Sequence, residues 1–195
     1  AQRTFRLAAS DYLDPVFLPR LMVRLRQEAP LCAVEFYPLS GETSYRQQLE
    51  QGEVDVVIGN WPSPSDDLHM GRLFGDEVVC LVSRQHPAVR RGWTADDWLA
   101  ADHVAPTPLH PGAKGFIDDH LALQGMSRRV TARCAHFGQI PAMVADTLLV
   151  LTTGRQYCER FVDELPVAIL PCPVPMPRMT VSYTHLRAHE TREDL

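Results

Sequence analysis

Hydrophobic and polar positions along this chain fall into two alternating rhythms. Val54, Val56, Val57 and Ile58 form a short, nearly continuous apolar run. That is the pattern of a strand covered on both faces, as in a parallel sheet between helices. The polar helical stretch from Thr43 to Gln51 ahead of it stops at Gly52, a residue suited to the left-handed turn of a helix C-terminus. Earlier, Thr4–Ala9 alternates and then turns apolar, which predicts a first strand. Asp14-Pro15 then supplies a helix start, and Leu18, Leu21, Met22, Leu25 and Ala29 recur at helical spacing until Pro30. Ala33–Pro38 predicts a second strand.

The same alternation continues downstream. After a Pro/Ser/Asp loop from Pro62 to Leu68, the run Glu77–Ser83 predicts another buried strand. Thr94-Ala-Asp-Asp97 resembles a capping box and opens a short helix with Trp98 and Leu99. A strand at His103–Pro106, a helix from Phe116 to Gln124 ending at Gly125, and a strand at Val130–Cys134 follow. The series continues with a helix over Gln139–Ala145, a buried strand at Leu148–Thr153, a helix over Gly154–Val162 and a strand at Val167–Leu170. Pro171–Pro177 carries four prolines and reads as an extended crossover. Met179–Tyr183 returns as a strand, and the polar tail 184–195 is left out of the fold reading.

This is βα alternation twice over, with connectors near 84–87 and 171–177. The expected architecture is α/β: two Rossmann-like lobes joined by two crossover strands, with a cleft where small-molecule sites commonly lie. The expected lobes are 1–83 plus 174–195, and 84–173.

Composition narrows the function classes. The chain has 195 residues, 45% hydrophobic and 22% charged, as an ordinary globular protein has. Its formal net charge of −5 argues against a surface dominated by nucleic-acid binding. The segment Ala1–Arg6 shows neither an initiator Met nor the apolar core of a secretory signal, which reads as a fragment of a longer protein. Five scattered cysteines fit a reducing cytoplasm better than a disulfide framework. No Cys-x-x-Cys or His-Glu-x-x-His spacing occurs, so no metal or cofactor is expected. No apolar run approaches a membrane span.

Candidate ligand residues follow from the strand ends, because open α/β sheets bind ligands beyond the carboxyl ends of their strands. Asn60 offers a donor and an acceptor just after the third strand, and Trp61 offers a flat apolar face. An ordinary β-turn is the alternative for these two. Ser10 and Asp11 follow the first strand near a helix start, a place that favours a carboxylate; simple capping is the alternative. Since an ionised Asp11 would oppose a carboxylate, Asp11 is expected to cap or face away, leaving Ser10 as the contact.

The residues Phe5-Arg-Leu-Ala-Ala-Ser-Asp-Tyr12, Leu18-Pro-Arg-Leu21, Glu28-Ala-Pro30 and Leu49…Gly52-Glu-Val-Asp-Val-Val-Ile-Gly59 resemble the effector-binding domain of LysR-type transcriptional regulators. Cys80–Pro87 is similar to the strand and turn leading into that family's second lobe. His136-Phe137 with Asp146–Thr152 is similar to the branch sensing aromatic acids and flavonoids. The resemblance covers roughly residues 4–183. It departs at the C-terminus, where Ser182-Tyr-Thr-His185 only approximates the family's Trp-His pair.

The resemblance implies a periplasmic-binding-protein-like fold of type II and a small, carboxylated or aromatic effector in the inter-lobe cleft. It places Ser10, Asp11, Asn60, Trp61, Thr107 and Phe137 at the effector, with Trp61 and Phe137 covering its apolar body. It also implies a homodimer, tetrameric at full length, in which the helix from Pro15 to Glu28 pairs with a second-lobe helix, for which Gly154–Val162 is the candidate. DNA would be read only through a winged helix-turn-helix domain absent from this chain. Two rival readings stand beside this one. An enzyme is not expected, with no catalytic residue, because no nucleophile elbow, phosphate loop or metal spacing occurs. A periplasmic-type solute-binding protein shares the architecture, but the odd cysteines and short length speak against it.

Overall fold

The structure is a computed structural model that describes residues 3–11, 13, 15–39, 45–60, 67–108 and 111–186. In chain order the elements are β1 (Thr4–Ala9), α1 (Phe17–Glu28), β2 (Ala33–Pro38), α2 (Tyr45–Glu50), β3 (Val56–Gly59), β4 (Leu68–Asp76) and β5 (Val78–Ser83). They continue with α3 (Ala88–Arg91), α4 (Ala95–Ala100), β6 (Asp102–Pro106), α5 (Phe116–Leu123), β7 (Arg129–Cys134) and a single 3-10 turn (Phe137–Gln139). The last are α6 (Ile140–Ala145), β8 (Val150–Gly154), α7 (Arg155–Glu159), β9 (Val167–Pro171) and β10 (Met179–Leu186).

Packing divides the chain into two compact units. The first is Ala1–Ser10, Met22–Gly75 and Thr180–Leu195; the second is Asp11–Leu21 and Asp76–Met179. Each unit is built on its own five-stranded mixed sheet, which is the α/β architecture expected from the alternation.

In the first unit the strand order is β2-β1-β3-β10-β4. β1 runs parallel to β2 and β3, while β10 returns antiparallel to β3. Parallel neighbours need a crossover, and α1 and α2 supply it. Gly52 closes the turn after α2 with φ of 70°, the left-handed conformation its position called for. Ala8, Leu49, Val54, Val57 and Leu68 pack as one core, with Leu39 and Tyr45 against it. By contrast, α1 buries none of its residues, and Val23 on it is 60% exposed.

In the second unit the order is β7-β6-β8-β5-β9. β6 lies parallel to both β7 and β8, and β5 is antiparallel to β8 and β9. All six residues of β5 are buried. Successive side chains of a strand point to opposite faces. Val79 and Leu81 accordingly join Ile140, Val144 and Tyr157 in one core, and Val78, Cys80 and Val82 join Trp98, Ile117 and Leu121 in another. The sequence reading closed the first lobe after Ser83, whereas β5 is a central strand of the second sheet. An apolar run records cover on both faces, and helices on both faces supply that cover to an antiparallel strand as well as to a parallel one.

Other differences are local. β4 and α3 have no counterpart in the sequence reading. The helix expected over Gly154–Val162 is shorter, five residues long. β10 extends to Leu186, three residues past the strand expected there. The capping box is as expected: the Thr94 hydroxyl accepts from the Asp97 N–H at 3.2 Å, and the Asp97 carboxylate accepts from the Thr94 N–H at 3.0 Å.

Candidate functional site

In the first unit, β1 and β3 end side by side. Ala9 is registered against Ile58, and the Ser10 N–H donates to the Ile58 carbonyl at 3.2 Å. Ser10, 4% exposed, therefore stands beside Gly59, where an added Cβ would lie 4.0 Å from Ser10 Cβ. Asn60 follows directly and is half-buried. The sequence reading put Ser10 at the start of the first helix. Instead it continues the β1 ladder, and α1 does not begin until Phe17. Trp61 lies outside the described residues.

The second sheet has its own strand-end edge. Thr107 follows β6, is exposed, and its N–H donates to the Cys134 carbonyl at 3.1 Å. Phe137 starts the 3-10 turn after β7. The expectation that its ring covers a ligand is corrected by its burial: it is 2% exposed and packs in the core, its ring 4.7 Å from that of Tyr157. One turn of 3-10 helix is enough to fold the ring under the sheet edge.

The Phe137 peptide is the polar feature here. Its N–H donates to the Asp11 carboxylate at 2.9 Å, and its carbonyl accepts from the Tyr157 hydroxyl at 2.6 Å. Burial pushes the Tyr157 phenol up from its ordinary range, with charge from Cys158 and Asp11 adding to it. Tyr157 therefore stays a neutral donor. The expectation that Asp11 caps the first helix or faces away is corrected: its carboxylate caps the 3-10 turn that follows β7.

A second carboxylate does the same job nearby in this unit. Asp76, 8% exposed, accepts the Gln156 N–H at 3.0 Å at the start of α7. Gly154 makes room for it, since a Cβ there would lie 3.1 Å from Asp76 Cγ and closer still to Oδ2. Neither Asp76 nor Tyr157 was singled out in the sequence. An acidic residue just before an apolar strand is a weak signal for a cap, because its helix lies far along the chain. Among the described residues no three His, Cys, Asp or Glu side chains cluster as metal ligands. None of the described helices is long and apolar enough to cross a membrane.

Residues 1–194 match the family model described as the LysR substrate binding domain. The chain is 28% identical over 191 residues to the HTH-type transcriptional activator NahR of Pseudomonas putida, covering 97% of this chain and 63% of that protein. It is 28% identical over 183 residues to nodulation protein D 1 of Bradyrhizobium sp. (strain NC92), covering 92% and 57%. The chain thus spans about three fifths of the length of these relatives. Among solved structures, a probable transcriptional regulator, PA0477 of Pseudomonas aeruginosa, superposes with a TM-score of 0.86 at 25% identity, covering 98% of this chain and 64% of that one.

Proposed function

The chain belongs to the LysR substrate-binding domain family, and from that premise we propose that it binds a small carboxylated or aromatic effector and relays that binding to a DNA-binding domain of the full-length regulator. The observation that carries the reading is the family match over residues 1–194. It favours a regulator over a solute receptor, and over an enzyme.

The geometry suggests which edge takes the effector's anionic end. On the second sheet's edge, the Phe137 and Gln156 N–H groups already donate to Asp11 and Asp76. These carboxylates would repel a carboxylate ligand placed beside them. The first sheet's edge offers the Ser10 hydroxyl and the Asn60 amide instead, with both donor and acceptor capacity. We assign Ser10 and Asn60 to the effector's polar end and Thr107 to a second polar contact. Trp61 remains the proposed apolar contact, and Phe137 is withdrawn from that role.

The partner assignments extend this reading. The apolar stripe of α1 (Phe17, Leu18, Leu21, Met22) is only half-buried, which supports a homodimer formed through this helix, with α7 as its proposed partner element. A cytoplasmic location follows from the same regulator reading. Light scattering of the domain at high concentration should give a dimer mass, and a monomer mass would refute the pairing. A thermal-shift screen of aromatic and aliphatic carboxylates tests the binding itself. A ligand at 100 times its Kd stabilises the fold by ~2.7 kcal/mol, which raises Tm by roughly 5–11 °C in a chain of this size. No shift from either class would refute the effector assignment.

A further inference from the structure

Two of the five cysteines meet inside the second unit. On β5, Cys80 is registered against Leu170 of antiparallel β9. Cys172 lies two residues beyond Leu170, and side chains two apart share a face of the sheet. Cys80 and Cys172 are thus diagonal neighbours on one face. Cys172 packs against the core cluster that contains Cys80.

The two sulfurs have different surroundings. Cys80 is fully buried, its Sγ 3.4 Å from Thr152 Oγ1, and burial holds its thiol well above the ordinary range. Cys172 is half-buried, between Pro171 and Pro173 just past the end of β9. Its neighbour Cys80 draws its pKa below the ordinary value, helped by the Val174 N–H and the Arg128 guanidinium. A half-buried thiol whose pKa is drawn down, beside a fully buried thiol whose pKa is held up, is the arrangement of an attacking and a resolving cysteine. Of the others, Cys158 is fully buried with a raised pKa, and the Cys134 thiol points to the His136 carbonyl.

We propose that Cys80 and Cys172 form an oxidation site, converted by hydrogen peroxide into an intramolecular disulfide. The Cys172 thiolate attacks one peroxide oxygen, so that an S–O bond forms and the O–O bond breaks. The departing hydroxide takes a proton and leaves as water, and Cys172 becomes a sulfenic acid. The Cys80 sulfur then attacks Cys172, forming the S–S bond as the S–O bond breaks; the hydroxide released combines with the Cys80 proton as a second water. Two thiols lose two electrons, and one peroxide is reduced to two waters. The bond would staple the proline-rich segment after β9 onto β5.

Peptide mapping of the native chain tests this without any substitution. The folded protein is treated with hydrogen peroxide, blocked with iodoacetamide and cut with trypsin. Cleavage separates Cys80 (Leu73–Arg84), Cys158 (Gln156–Arg160) and Cys172 (Phe161–Arg178) into different peptides. The expected product is Leu73–Arg84 linked to Phe161–Arg178, lighter by two hydrogens, in a chain that stays unlinked to other copies and reverts with dithiothreitol. Both peptides remaining alkylated, or Cys172 pairing with any other cysteine, overturns the proposal. In C80S, Cys172 should be trapped by dimedone several-fold more than in the native chain; equal trapping overturns the resolving role of Cys80.

Discussion

The Gly154–Asp76 contact allows a prediction with a definite sign. Gly154 precedes α7 with φ −63° and ψ 142°, a conformation any residue adopts, so glycine is needed there for space alone. An alanine Cβ would lie 3.1 Å from Asp76 Cγ and inside contact distance of Oδ2. Asp76 is 8% exposed, so its carboxylate cannot move without giving up the Gln156 N–H it accepts at 3.0 Å. A hydrogen bond to a charged group contributes about 1.5–3 kcal/mol, and its loss should lower Tm by roughly 3–12 °C in a chain of this size. Asp76→Ala should cost a similar amount. In the Asp76→Ala background the clash partner is gone, and Gly154→Ala should then stabilise by ~0.4–1 kcal/mol through the unfolded chain. Urea unfolding of the native chain, both single variants and the double variant measures the coupling. If Gly154→Ala costs the same with and without Asp76, the steric argument is refuted.

Three further predictions concern stability. Burial lowers the His103 pKa from 6.5 to about 4. At low pH the unfolded chain therefore binds a proton that the folded one refuses; stability is full above about pH 6.5 and falls by ~3 kcal/mol toward pH 4. His103→Gln should flatten urea midpoints over that window, and an unchanged slope would contradict the assignment. Asp118 pairs with Arg128 at 2.7 Å, and the Arg128 side chain is only 3% exposed. Asp118→Ala strands that charge and should cost about 3–5 kcal/mol in urea unfolding, where a loss under ~1 kcal/mol would show that the pair is not needed. Asp11→Ala removes an acceptor from the Phe137 N–H. It should lower Tm while leaving effector affinity near its native value, which calorimetry checks; a tenfold affinity loss would make Asp11 a ligand contact.

Much of this fold was legible because local physics and tertiary structure agree. Gly52 and Gly125 end helices with positive φ, and Thr94 and Asp97 cap one reciprocally. What failed was whatever depends on distant partners. β4 hides because exposed His69, Met70, Arg72 and Leu73 blur its alternation at the sheet edge. The apolar run of β5 announces burial but not which sheet or which direction. At the candidate site, the sequence placed Ser10 and Asn60 near strand ends, and both lie there. Phe137 misled because a ring next to a strand end can turn into the core as readily as out of it. The two capping carboxylates, Asp11 and Asp76, are separated from their N–H partners by most of the second unit, and no local pattern announces them.

The most direct test of the central claim is titration calorimetry with an effector found by the screen, comparing the native chain with Ser10→Ala and Thr107→Ala. Removing a hydrogen bond to a charged group costs about 1.5–3 kcal/mol, so Ser10→Ala should weaken binding roughly ten- to a hundredfold. Native affinity in both Ser10→Ala and Thr107→Ala would place the effector elsewhere and contradict the strand-end account.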